Sequence, residues 1–218
     1  MGQPPTFTKK RRPTTKPTVD FTAIEGKNVN IVFVGDTCVD KKTYVLNVMG
    51  IPPEEQETAK LALVTLVPHK KICGANCRLY ITDGAPESDR LRPLAYPQKD
   101  LFVLMYSSES KSSLNNIRTK WNKEINIHAA GTYKVILGIG PNSNGDTKDG
   151  DNTNDGGRVS VEDAKSLAKE FDGILGVFFA KVDDQNEAKV SMKDILGHYG
   201  GILKTKVKMD AVNGCKKK

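Results

Sequence analysis

The sequence predicts an α/β fold, a mainly parallel six-stranded sheet with helices on both faces. Two observations carry this expectation. Short β-branched apolar runs alternate with helical segments between residues 28 and 203, and Leu101–Tyr106 is apolar throughout, as in a strand buried on both faces.

The elements follow in order. Val29–Val34 is the first strand, closed by Gly35, and Thr43–Met49 has helical spacing. Leu61–Val67 and Arg78–Thr82 form a hairpin across the turn at Gly74. After the strand Leu101–Tyr106, the positions Leu114, Ile117, Trp121 and Ile125 recur at helical intervals and predict a helix over Ser112–Ile125. Lys134–Gly138 and Val177–Ala180 are the last two strands, and Val161–Phe171 and Ser191–Leu203 the last two helices. Residues 1–27, rich in Pro, Thr and Lys without periodicity, read as an extended tail, and residues 204–218 as a second basic tail.

At 218 residues and 38% hydrophobic content, the chain suits one globular domain with length to spare for tails. Its net charge of +7 is uneven: residues 1–27 hold +4, residues 202–218 hold +5, and the stretch between them is −2. That distribution argues against a folded surface that grips nucleic acid. It favours basic arms that meet an acidic protein surface, anionic lipid or RNA, or that merely aid solubility. No apolar run approaches the roughly 18 to 20 residues of a membrane span, and the N-terminus lacks the apolar stretch of a secretory signal. Four scattered cysteines suggest reduced thiols in a cytoplasmic setting, with cytoskeletal or membrane association as an extension.

The segment Asp89-Arg90-Leu91-Arg92-Pro93-Leu94-Ala95-Tyr96-Pro97 resembles the second switch of Rho and Rac GTPases almost residue for residue. Ser112–Ile117 with Trp121 is similar to the helix that follows it in that family, and Ala180-Lys181 to the end of its base-contacting Ser-Ala-Lys loop. The spacing from Leu61 through Gly74 to Asp83 fits the family's second and third strands, and the polar stretch 142–157 lies where Rho proteins carry an insert. The resemblance covers about residues 28–203 and implies a Ras-like P-loop fold. It also implies a partner-binding face at Arg90, Leu91, Arg92, Pro93, Leu94 and Tyr96.

The nucleotide positions depart from that pattern. Gly35–Thr43 occupies the place of G-x-x-x-x-G-K-[ST], after a strand and before a helix. Gly35 and Lys41 match, but Asp40 replaces the second glycine and Lys42 the hydroxyl residue. Such a loop works by pointing backbone N–H groups inward, which glycine permits. Asp40 restricts that backbone and adds a carboxylate; one like-charge pair at ~4 Å costs roughly 1 to 4 kcal/mol in a solvated setting. An ammonium at Lys42 has no lone pair for Mg²⁺, and the Thr43 hydroxyl lies about 100° further round the helix. Leu61 stands where the first switch presents its threonine, with Thr58 nearby. The family's Asp-Thr-Ala-Gly-Gln is Asp83-Gly84-Ala85-Pro86-Glu87 here, without the water-orienting glutamine. Gly138-Ile139-Gly140-Pro141-Asn142-Ser143 holds no lysine or aspartate in register for reading guanine, and Asp146 lies too far along.

Other patterns have simpler explanations. Asp151, Thr153, Asp155 and Glu162 resemble a calcium loop, but Ser160 as a helix cap with Asp163 facing back explains that region better. Cys73 and Cys77 lack companion metal ligands, and the histidines are isolated. Met1-Gly2 through Thr6 matches a myristoylation pattern with Lys9–Arg12 as the electrostatic second signal. Cys215 is fourth from the end, but the lysines after it close the prenylation route.

The reading is a non-catalytic Rho-like pseudoGTPase, an interaction or structural module docked with protein partners in a larger assembly. The alternative is a divergent GTP-binding signalling protein with slow or absent hydrolysis. No cofactor, metal ligand or catalytic residue is expected. GTP or GDP with Mg²⁺, if kept, would rest on Gly35, Asp36, Lys41, Thr43, Asp83, Ala180 and Lys181.

Overall fold

The structure, a computed structural model, describes residues 19–52, 64–140 and 158–215. The expectations for Gly2, Lys9–Arg12, Thr58, Leu61, Asn142, Asp146, Asp151–Asp155 and the 142–157 insert fall outside the described residues. Six strands form one sheet in the order β2-β3-β1-β4-β5-β6. They are β1 (Asn28–Val34), β2 (Val64–Ile72), β3 (Ala75–Thr82), β4 (Leu101–Ser107), β5 (Tyr133–Ile139) and β6 (Ile174–Ala180). Every neighbouring pair is parallel except the β2–β3 hairpin. Cys73 and Gly74 turn that hairpin with φ of 51° and 84°, the left-handed geometry that a two-residue loop needs to match the strand twist.

The helices are α1 (Lys41–Met49), α2 (Lys111–Asn116), α3 (Asn122–His128), α4 (Val161–Glu170) and α5 (Gln185–Cys215). A π-helical turn, Ile117–Trp121, joins α2 to α3, so the predicted helix is one run with a bulge in it. The apolar residues of β1, β4 and β5 split between two cores. Ile31, Phe33, Val103 and Met105 meet α1 and α5 through Tyr44, Val45, Met192 and Leu196. Val32, Val34, Phe102 and Leu104 meet the other helices through Leu114, Ile117, Trp121, Ile125 and Leu167. The expected capping box is present: the Asp163 amide donates to Ser160 Oγ at 3.1 Å, and the Ser160 amide to the Asp163 carboxylate at 3.2 Å.

The expected boundaries of both tails move, and β3, β6 and α5 each begin earlier than expected, at Ala75, Ile174 and Gln185. The first tail does not run to residue 27, because Ile24 is fully buried and residues 19–27 pack on the domain. The last helix does not stop at Leu203: it continues through Cys215, since nothing between Lys204 and Asn213 breaks a helix and Gly214 falls at its end.

Candidate functional site

The loop after β1 carries the first candidates. A Cβ at Gly35 would lie 2.5 Å from the Met105 carbonyl oxygen, so β1 can pass β4 here only as glycine. The chain then bends at Asp40, whose φ of −67° and ψ of 54° are those of an inverse γ-turn. That turn aims the Lys41 amide at the Val39 carbonyl, 2.6 Å away, while the Val39 amide donates to the Asp36 carbonyl at 3.1 Å. Two amides of the loop are thus bonded to the loop's own carbonyls. A glycine at position 40 could take positive φ and turn the amide elsewhere; aspartate favours the bend observed.

Lys41 is buried, and its ammonium donates to the carbonyls of Gly35 (3.0 Å) and Asp36 (2.5 Å). Burial pulls its pKa down to about 8, against the opposing charges of Asp83 and Asp36. Asp36, grouped by sequence with the nucleotide residues, instead binds the opposite layer. Trp121 Nε1 donates to its Oδ1 and Asn116 Nδ2 to its Oδ2, each at 2.8 Å. Asn116 and Trp121 bracket the π turn, and the bulge sets their spacing against one carboxylate.

The segment after β3 lies directly on this loop. The Asp83 carboxylate accepts from the Ala85 amide (3.1 Å) and the Ser88 hydroxyl (2.9 Å). Partial burial pushes its pKa up, but these hydrogen bonds and the charge of Lys41 hold it below the usual range. At Gly84 a Cβ would meet the Gly35 oxygen at 2.4 Å, the Thr37 nitrogen at 2.5 Å and the Asp36 carbonyl carbon at 2.6 Å. All three are backbone atoms of the loop and cannot swing aside. Gly84→Ala is therefore expected to destabilise the fold by about 1–3 kcal/mol, measured by urea unfolding. A loss under ~0.5 kcal/mol would show that the two segments part easily.

Arg92 closes the segment from beneath. It is fully buried, and all five of its N–H groups find acceptors. Nε and Nη2 form a fork on Glu124 at 3.0 and 2.7 Å, and Nη2 also reaches Asp89 at 2.5 Å. Nη1 donates to the carbonyls of Asp83 (2.9 Å) and Ala85 (3.4 Å), and the guanidinium sits 4.6 Å from the Trp121 ring centroid. The Tyr96 hydroxyl donates to the same Glu124 at 2.5 Å.

These contacts divide the expected partner face. Arg92, Pro93 and Tyr96 are buried and cannot touch a partner directly, because Glu124, contributed by α3, draws the arginine and tyrosine inward. Arg90 is exposed, Leu91 is 52% exposed and Leu94 is 75% exposed. Sequence reasoning missed Glu124 and Asn116 altogether. Their signal was only a helix of suitable phase beneath the segment.

A model described as the Ras family matches residues 30–192. The chain belongs to the Ras family. Over 114 residues it is 32% identical to "Rho-related protein racM" of Dictyostelium discoideum, across 51% of this chain and 60% of that protein. The chain therefore matches less than two thirds of that relative's length. It is a Rho-like small GTPase family member, and the mostly parallel sheet with helices around it is consistent with the Ras-like fold.

The rest of this Rho-like site lies at the ends of β5 and β6. Ile139 is buried in the core, and a Cβ at Gly140 would fall 1.7 Å from the Ser108 hydroxyl. The position thus has no room for a side chain unless Ser108 turns away. Ala180 is buried, its carbonyl accepting from the Gly140 amide at 3.3 Å. Lys181 is engaged by Glu187, through its amide at 3.0 Å and its ammonium at 3.3 Å. Thr43 is half-buried on the first turn of α1, one residue past Lys42. Gly35, Lys41 and Asp83 are thus gathered past the ends of β1 and β3, whereas Ala180 and Lys181 lie at the end of β6, three strands from β1. Among the described residues no helix is long and apolar enough to cross a membrane.

Proposed function

We propose that this Rho-like chain is a non-hydrolysing module that binds protein partners within a larger assembly, through the exposed Arg90, Leu91 and Leu94. The inverse γ-turn at Asp40 carries the reading, because it bonds the Lys41 amide to Val39 where a phosphate loop needs that donor directed inward. Three further departures agree with it. Lys42 stands in place of a Mg²⁺-binding hydroxyl, Pro86 and Glu87 in place of a water-orienting glutamine, and Ile139 and Gly140 in place of a base-reading pair. These residues do not fit a guanine nucleotide with Mg²⁺ as the resemblance would have it bound. Hydrolysis is the first activity such changes remove. The partner face is anchored by Arg92 and Tyr96 to Glu124, and by Arg92 to the Asp83 carbonyl as well.

Denaturing natively purified protein and chromatographing what it releases tests the reading. Substoichiometric guanine nucleotide is expected, together with weak titration by fluorescent GDP and Mg²⁺. Asp40→Gly with Lys42→Thr is expected to recover little affinity, because the base-reading residues would still be missing. One mole of nucleotide per mole of wild-type chain would overturn the proposal. It would favour a divergent GTP-binding signalling protein that switches slowly or by exchange alone. Lys41, already seated on the Gly35 and Asp36 carbonyls, is the feature that supports this second reading.

A further inference from the structure

Residues 19–27 cross α5 at a place prepared for them. A Cβ at Gly200 would lie 1.9 Å from the Asp20 carbonyl oxygen, and one at Gly197 would lie 2.5 Å from a Val19 methyl. Glycine is disfavoured inside a helix, so two of them about one turn apart beneath this strap make the crossing a built contact. Beyond the crossing, Ile24 is fully buried and the Gly26 amide donates to the Gly74 carbonyl at 2.9 Å. The Asn76 amide returns a bond to the Lys27 carbonyl at 2.8 Å. The strap thus has two anchors, one on α5 and one on the β2–β3 hairpin.

The anchor on α5 closes around one carboxylate. Asp20 Oδ1 accepts from the Thr22 amide at 2.9 Å and from the Thr22 hydroxyl at 2.6 Å, and Oδ2 accepts from the Lys204 ammonium at 2.5 Å. The Asp20 amide donates to the Gly197 carbonyl at 3.0 Å. Hydrogen bonds from Lys204 and Thr22 hold the carboxyl pKa down to about 2, so Asp20 is ionised throughout the physiological range. Thr22 is exposed, and it carries the sole hydroxyl of residues 19–27. Its surroundings in sequence are acidic. Glu25 follows three residues later, Asp20 precedes by two, and no cation falls between Pro17 and Gly26.

We infer that Thr22 is a phosphorylation site for an acid-directed protein kinase, and that its phosphate unclasps residues 19–22 from α5. A substrate groove lined with cations is complementary to Asp20 and Glu25. The kinase takes the strap in its locally opened state, because the Thr22 hydroxyl and Ile24 are both engaged when it is closed. In the transfer, the bond from the γ-phosphorus of ATP to its bridging oxygen breaks and a bond to Thr22 Oγ1 forms. ADP leaves, and the hydroxyl proton passes to the kinase's base. The clasp then cannot close as before. Oγ1 has lost the proton it donated, and a charge of about −1.5 to −2 stands beside the Asp20 carboxylate. Lys204 brings one positive charge to two anionic groups and cannot neutralise both. Ile24 and Gly26 re-seat, since the second anchor lies on the hairpin. The modification therefore governs whether the chain before β1 stays on α5. It acts away from Arg90–Leu94 and from the loop after β1, so it stands whether or not nucleotide binds.

The test incubates the full-length chain with ATP, Mg²⁺ and an acidophilic casein kinase, maps phosphate by mass spectrometry and follows backbone amide exchange by NMR. Incorporation at Thr22 is expected, with exchange of the Asp20 amide at least about tenfold faster and that of Gly26 within about threefold of the unmodified chain. Thr22→Glu, with a single charge, should reproduce part of the acceleration. Thr22→Val, which removes the hydroxyl and adds no charge, should accelerate exchange less than either. Unchanged exchange of the β4 amides verifies that each form is folded. No phosphate at Thr22, or a phosphorylated chain whose Asp20 amide exchanges as slowly as before, would overturn the inference. So would a Thr22→Val chain that exchanges as fast as the phosphorylated one, because charge would then not be the cause.

Discussion

Replacing Arg92 by methionine is expected to cost the fold about 3–5 kcal/mol in urea denaturation, the range for breaking a buried ion pair from one side. Volume is nearly kept, so the loss reflects polar groups left behind. Glu124, whose side chain is only 14% exposed, would lose both arms of its fork, and the carbonyls of Asp83 and Ala85 would lose their shared donor. The same environment governs the arginine itself. Burial disfavours its charge, but the carboxylates of Glu124 and Asp89 more than compensate and raise its pKa above the ordinary value. Arg118 and Glu170 form a pair of similar geometry whose side chains are 49% and 44% exposed, and Arg118→Ala should cost no more than about 1 kcal/mol. Adding Glu124→Gln to Arg92→Met should recover part of the loss, because the stranded carboxylate is then gone. An Arg92→Met variant within ~1 kcal/mol of wild type would show that water replaces the guanidinium and that Leu91 and Leu94 are held by other means.

The sheet could be read from the sequence because its signals are local. Leu101–Tyr106 is apolar without interruption, and all six of its side chains are buried in β4. Gly74 marked the hairpin, and Ser160 with Asp163 marked the start of α4. The site was less legible because its decisive contacts join distant residues. Asp36 reads as a phosphate-loop residue until Trp121, 85 positions later, is found donating to it. Arg92 and Tyr96 read as partner contacts until Glu124 is placed beneath them. Residues 19–27 escape a reading from sequence because they continue a Pro- and Thr-rich run that has no periodicity. Gly197 and Gly200 then explain themselves only when Asp20 is seen between them. Asp40 is the intermediate case. Its replacement of a glycine predicted a restricted backbone, but the direction of the restriction needed the observed φ and ψ.

Stability should rise by about 2 kcal/mol between pH 7.5 and pH 9, an unusual direction with a definite source. Lys41 and Lys134 are both buried, and burial lowers each pKa to about 8 from the ordinary 10.5. Lys134 donates to two neutral acceptors, the side-chain carbonyls of Asn122 and Asn126 at 2.7 Å each, with only the more remote charge of Asp172 in its favour. Below pH 8 both folded-state ammoniums stay charged at the expense of the fold. Between about pH 8 and 10.5 the folded protein has released protons that the unfolded chain still binds, so stability climbs with pH. Groups with raised values set the ceiling. The Cys77 thiol is pushed up by burial to about 12, and Tyr44, Tyr96, Tyr106 and Tyr199 are likewise raised by burial. These groups stay protonated in the fold while the unfolded chain ionises, which removes stability above about pH 9 for the thiol and pH 10 for the phenols. A maximum near pH 9 follows. Lys134→Met should flatten roughly half of the rise, because Lys41 accounts for the remainder. Urea midpoints that fall or stay level from pH 7.5 to pH 9 would mean that these two ammoniums keep ordinary pKa values within the fold, which their burial makes costly.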